Sequence, residues 1–156
     1  MKKLFNIFFA TIIIGMFIGS FFVLISRDIS LNYSVWLKLG QKEAYNLNDY
    51  VIFKYTKPDK YFENKKLIKQ VVCVEGQKLA TIDHYITCDN KIIAQILEKD
   101  KEGNKLPYLK FNQVIPKGYY FLAGTHERSY DSRYFGLIKH EEIQEELIPV
   151  RSILLW

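Results

Sequence analysis

Metal-binding side chains are scarce in this 156-residue chain, which holds two cysteines and three histidines. Neither Cys73 nor Cys88 has a histidine or a further cysteine at ligand spacing, so a metal site is disfavoured and no cofactor is expected. Internal repeats and low-complexity tracts are absent as well, which leaves an ordinary globular region rather than an array. There is no basic stripe. The 22 basic and 17 acidic residues leave a formal charge of +5, but the lysines are scattered, and this disfavours nucleic acid as a partner. Finally, no A-x-A cleavage signature follows the apolar run near the N-terminus, which argues against a removed secretory signal.

That apolar run, residues 4–25, is 22 residues long and carries no charge. At about 1.5 Å per residue a helix of this length spans about 33 Å, enough to cross a bilayer core. Lys2 and Lys3 precede it and Arg27 follows, partly offset by Asp28, so the basic bias places the N-terminus in the cytoplasm. The expected organisation is a membrane anchor at residues 1–26 and one extracytoplasmic domain at residues 27–156. About 130 residues suffice for a single core and are too few for two. Gly15 and Gly19 have helix-pairing spacing, but such pairs are common in apolar helices. The mild basic excess suits a domain lying beside anionic lipid. Two cysteines in an oxidising compartment suggest a Cys73–Cys88 disulfide, the alternative being two buried thiols.

Past the anchor the pattern reads as strand. Residues 48–55, 67–74, 79–87, 91–97 and 119–123 are short runs rich in Val, Ile, Tyr and Phe, separated by Gly, Pro, Asn and Lys clusters. Residues 57–66 and 98–105 read as surface turns, and 140–147 as a short helix. The expected fold class is mainly β, a curved antiparallel sheet carried on one N-terminal transmembrane helix.

Three places carry possible chemistry. Lys69, flanked by apolar residues, would share a strand face with Leu67 and Val71, where a core belongs. Desolvation there would favour the neutral amine, a general base; alternatively, an edge-strand lysine would snorkel to water. Only eight residues separate Ser34 from Ile25, so it must lie near the membrane surface, where Val35, Trp36 and Leu37 would rest in the interface. It is either a nucleophile or a plain linker serine. The third place is RSYDSRYFG, residues 128–136, in which Ser129, Asp131 and Arg133 alternate and would share one face if extended, with Asp131 and Arg133 paired. Alone, this stretch reads equally well as a polar turn.

Together these segments resemble the signal peptidase I family, the peptidase S26 serine–lysine peptidases, and most of all its conjugative-transfer, TraF-like members. The likeness rests on the anchor, Ser34, NDYVIF at 48–53, IKQVVCVEGQ at 68–77 and GTHERSYDSRYFG at 124–136. It implies an antiparallel β domain and matches Ser34 to the nucleophile, Lys69 to the general base and Ser129 to the serine that orients the lysine. Asp131 and Arg133 match the pair that buttresses the site. An oxyanion would meet the backbone N–H of Ser34 and the Asn32 amide, which stands where the family often has a hydroxyl. Departures include Trp36 in place of a proline and Gly124-Thr125-His126-Glu127 in place of G-D-N-R. His84, His126 and His140 would be surface or structural residues.

The implied function is a membrane-anchored signal peptidase of the bacterial inner membrane, with its catalytic domain on the periplasmic side. Its partners would be the lipid bilayer, membrane-inserted precursors such as pilin or transfer proteins, and secretion or pilus components. A non-catalytic assembly factor that retains the fold is the alternative reading. A soluble self-cleaving repressor is a third, opposed by the apolar run.

Overall fold

The computed structural model describes residues 8, 9, 11, 15, 19, 22–26, 30–57, 61 and 64–150. Most of the expected anchor at residues 1–26 therefore lies outside the described residues. Among those described, no helix is long and apolar enough to cross a membrane.

The described chain forms β1 (Val23–Ile25), β2 (Val35–Gly40), β3 (Tyr50–Tyr55), β4 (Lys65–Cys73), β5 (Lys78–Ile82) and β6 (Tyr85–Cys88). There follow β7 (Lys91–Gln95), β8 (Asn112–Val114), β9 (Tyr119–Ala123), a one-turn helix α1 (Ser132–Phe135), β10 (Ile138–Lys139) and β11 (Ile143–Pro149). All pairings are antiparallel. A seven-stranded sheet runs β1-β2-β11-β3-β4-β9-β10, and a four-stranded sheet runs β7-β6-β5-β8. The fold is mainly antiparallel β, as the pattern of short β-branched and aromatic runs implies.

Several elements differ from the sequence expectation, each for a tertiary or turn reason. The last three residues of the apolar run form β1, whose Ile25 pairs with Val35 and whose Val23 pairs with Leu37. Residues 79–87 are two strands rather than one, because Asp83 turns the chain at a positive φ of 51° between the paired residues Ile82 and Tyr85. A second two-residue turn follows at Asp89 and Asn90, with φ of 46° and 64°, conformations that these short polar side chains tolerate. The stretch at 140–147 is no helix. After a 3-10 turn at His140–Glu142 it becomes β11, an inner strand paired on both sides with β2 and β3. Trp36 does not rest in a membrane interface: it is fully buried, with Tyr33 and Tyr50 ring centroids at 5.7 and 5.1 Å. Its neighbours Leu37 and Leu39 point outward and are exposed.

The core has three parts. Val51, Phe53, Leu67, Val71 and Leu122 pack on one face of the large sheet with Phe135 and Ile138, while Trp36, Ile52, Ile68 and Leu147 pack with Leu31 on the other. Leu79, Ile86, Phe111, Ile115 and Phe121 close the space between the large and small sheets. Cys73 at the end of β4 and Cys88 at the end of β6 are disulfide-bonded inside this last cluster, with Cα atoms 5.9 Å apart. The bridge fixes the small sheet to the strand that carries Lys69. On the chain-entropy account a closed loop of about 15 residues contributes roughly 3 kcal/mol. The Cys73→Ala/Cys88→Ala double variant should therefore unfold at lower urea concentration, with a loss of about that size, and added reductant should then leave its midpoint unchanged.

Candidate active site

Lys69 sits in the middle of β4, opposite Val51 in the register and on the face of Leu67 and Val71. Only 2% of it is exposed. Its ammonium nitrogen lies 2.6 Å from the Oγ of Ser30, a hydrogen bond within a buried pair. Ser30 itself is 6% exposed. Its carbonyl is held by the N–H of His126 at 3.1 Å and by the Thr125 hydroxyl at 3.4 Å. Lys69, Ser30 and Ser129 line one cavity of about 330 Å³.

The partner of Lys69 is thus Ser30, whereas the sequence reading points to Ser34. Ser34 is exposed, four residues on, and its carbonyl accepts the N–H of Ser26 where the chain leaves β1. Asn32 is exposed too, and neither residue is among those lining the cavity. The reason is geometric. Pairing of β1 with β2 starts at Ile25 and Val35, and Ser34 is tied beside that pairing through its carbonyl and the Ser26 N–H. Ser30 is held instead by residues 125 and 126. One signal was available in the sequence: Ser30 stands between Ile29 and Leu31, an apolar setting like the one that Leu67, Ile68 and Val71 give Lys69. Leu31 is buried beside Ile68 and Trp36 in the core.

The stretch at 128–136 is not extended. Asp131 caps α1, and its carboxylate accepts the backbone N–H of Arg133 at 3.2 Å. The same carboxylate takes Arg133 Nε and one terminal nitrogen, both at 2.8 Å, in a bidentate pair that is almost wholly buried. Burial works against the Arg133 charge, but the hydrogen bonds and charge of Asp131 outweigh it and raise the guanidinium pKa above its ordinary value. The remaining donors reach the carbonyls of Ser129 at 2.7 Å, Glu127 at 3.0 Å and Gln95 at the end of β7. The second Asp131 oxygen also accepts the N–H of Gly124 at 3.0 Å. One ion pair therefore holds both ends of the 124–131 loop.

That loop delivers two things to the cavity. Its start holds the Ser30 carbonyl, as above. Its end presents Ser129, which is 3% exposed and whose Oγ has no hydrogen-bond partner among the described residues. The approach is close enough to demand glycine at 124, where an added Cβ would lie 2.3 Å from Ser129 Oγ and 2.7 Å from the Ser30 carbonyl oxygen. His126 also lines the cavity, and its Nδ1 accepts the N–H of Arg128 at 3.1 Å. His140 instead packs against the rings of Tyr45 and Tyr120. No group of three or more His, Cys, Asp or Glu suited to a metal occurs among the described residues.

Removing one partner of a buried ion pair strands the other charge, at a cost of about 3–5 kcal/mol. Asp131→Asn should lower the unfolding free energy by that order. The Asp131→Asn/Arg133→Gln double variant should lose clearly less than the sum of the singles in a denaturant-based mutant cycle.

Comparisons with known proteins place the chain in a family. The family model described as signal peptidase, peptidase S26, matches residues 1–150. A conjugal transfer protein TraF of Agrobacterium fabrum (strain C58 / ATCC 33970) is 35% identical over 74 residues, 46% of this chain and 41% of that protein. The match thus spans about two fifths of that relative's length. A signal peptidase I from Enterococcus faecalis V583 aligns in structure with a TM-score of 0.42 at 19% identity, covering 65% of this chain and 94% of that one. The match over residues 1–150 is decisive, and the chain belongs to the signal peptidase family, peptidase S26.

Proposed function

We propose that this chain is a serine endopeptidase that removes signal peptides from exported precursors, with Ser30 as nucleophile and Lys69 as general base. The observation that carries the reading is the buried 2.6 Å contact between Lys69 Nζ and Ser30 Oγ at a cavity wall. In its neutral form Lys69 takes the Ser30 proton as Oγ attacks the scissile carbonyl, then returns it to the departing amine. The acyl group remains on Ser30 until Lys69 deprotonates an entering water. Ser129, beside the pair and with its Oγ uncommitted, orients the amine. The backbone N–H of Ser30 takes the oxyanion role that the sequence reading gives to Ser34.

The proposed setting is the bacterial inner membrane, with the apolar run up to β1 as a single span, the N-terminus in the cytoplasm and the peptidase domain, from β1 onward, on the periplasmic side. The charge-free run at 4–25 supports this. So does an exposed apolar band at its end, made of Val23 and Ile25 on β1, Leu37 and Leu39 on β2 and Ile148 on β11. Membrane-inserted precursors would then present their cleavage sites to Ser30. The likeness to a conjugal transfer protein supports transfer-system precursors as substrates; pilin precursors, and secretion or pilus components as partners, complete the proposal.

Ser30→Ala and Lys69→Ala should each abolish processing of a co-expressed native precursor while leaving the thermal unfolding transition in place. Ser34→Ala should process at close to the wild-type rate. A Ser34→Ala variant that is inactive, beside a Ser30→Ala variant that still processes, would overturn the assignment. Because a protonated lysine cannot accept the proton, the single-turnover rate should rise with pH toward a plateau; a rate that falls as pH rises from acid contradicts the base role.

A further inference from the structure

The cavity beside Ser30 and Lys69 is rimmed by charge that the proton transfer does not use. Lys99 and Lys101 reach it from the turn after β7, and His126 and Arg128 from the loop after β9. All four are exposed. The turn is tight: Leu106 donates its N–H to the Glu98 carbonyl at 2.8 Å, and Asp100 donates to the Asn104 carbonyl at 2.9 Å. This pairing sets Lys99 directly opposite Lys105 in an antiparallel bridge. Like charges so placed destabilise a strand pair, and an anion drawn to them relieves the repulsion.

The acidic groups nearby are mostly committed elsewhere. One carboxylate oxygen of Asp100 accepts the backbone N–H groups of Glu102 and Asn104 at 3.0 and 2.8 Å. The other accepts the Tyr61 hydroxyl at 3.0 Å and the Asn104 amide at 2.9 Å. Glu127 meets Arg128 at 3.8 Å with both side chains exposed, where a pair is worth little. Glu102 is the one other carboxylate on the lining, and among the described residues none of Lys99, Lys101 and Lys105 has an ion-pair partner.

The position of the rim decides which part of a precursor meets it. In the large sheet β4 separates β9 from the side that holds β1, β2 and β11 with their exposed apolar band. Lys69 is on β4, and the basic loop leaves β9 on the far side. A precursor whose signal peptide stays in the bilayer beside that band, with its scissile bond at Ser30, runs its following residues past Lys99, Lys101 and Arg128.

We propose that this rim is a subsite for an acidic side chain, Asp or Glu, carried by the precursor shortly after the cleaved bond. The inference rests on the peptidase reading of Ser30 and Lys69, and it adds the substrate charge that the site selects. A cleft edged mainly by one sign of charge concentrates its field on an approaching anion, and salt screens that field.

The test uses the full chain in detergent micelles and peptides that carry alanine around the cleaved bond, with Glu, Gln or Lys placed at each following position in turn. At a particular position kcat/KM should be about tenfold or more higher for Glu than for Lys, with Gln between, and added salt should shrink the difference. Lys99→Gln/Lys101→Gln should bring the Glu-to-Lys ratio toward one, and Lys99→Glu/Lys101→Glu should invert it. A ratio within about twofold of one at every position, or one that the Gln double variant leaves unchanged, overturns the subsite while Ser30-dependent hydrolysis stands. Weaker binding of that variant to vesicles containing anionic lipid, with the ratio unchanged, assigns the lysines to the membrane surface and overturns the subsite too. If no peptide is cleaved, the peptidase reading fails, and the rim is judged from the Kd of the same peptides by fluorescence anisotropy. The Glu peptide must then bind about tenfold tighter than the Lys peptide, or the subsite is rejected as well.

Discussion

The buried pair between Asp131 and Arg133 is the constraint on which the rest of the site depends. Two charges removed from water are costly unless every donor and acceptor is satisfied, and here nearly all are. The carboxylate holds the guanidinium, the start of α1 and Gly124. The guanidinium holds the carbonyls of Gln95, Glu127 and Ser129. Since Gly124 directly follows β9 and Gln95 ends β7, the pair joins the two sheets at the rim of the cavity. On the proposed reading the Lys69 amine must be held to within a fraction of an ångström of Ser30, and this pair stiffens the loop beside it.

The disulfide gives a second tie between the same bodies. Cys73 lies four residues beyond Lys69 on one strand, and Cys88 lies at the end of β6 in the small sheet. The small sheet cannot move relative to β4 without straining that bond. Two ties of different chemistry, one ionic and one covalent, thus bracket the cavity.

Much of this was legible from residue order. Strands at 119–123 and within 48–55 and 67–74 follow from dense β-branched and aromatic runs, and Lys69 could be placed on a core face by parity alone. The partnership of Asp131 with Arg133 could be read from their spacing, although its backbone could not. The sequence suggested an extended alternation, whereas the pair forms around a helix cap because Asp131 accepts the Arg133 N–H. β11 was misread as a helix because its sequence, IQEELIP, alternates poorly. It becomes a strand through pairing on both edges, which no local propensity reports.

The clearest division falls between Lys69 and its serine. Sequence by itself determined that Lys69 shares a strand face with Leu67 and Val71, that two cysteines can bridge, and that a serine follows the apolar run closely. Each of these depends on composition, parity or chain length, which are local quantities. Which serine meets the lysine was decided only by tertiary structure. Ser30 and Ser34 are four residues apart, and both are within chain reach. β1 pairs with β2 beside Ser34, whereas the Ser30 carbonyl is held by the backbone N–H of His126 and the hydroxyl of Thr125, almost a hundred positions away. That contact turns Ser30 inward to Lys69 and leaves Ser34 in solvent.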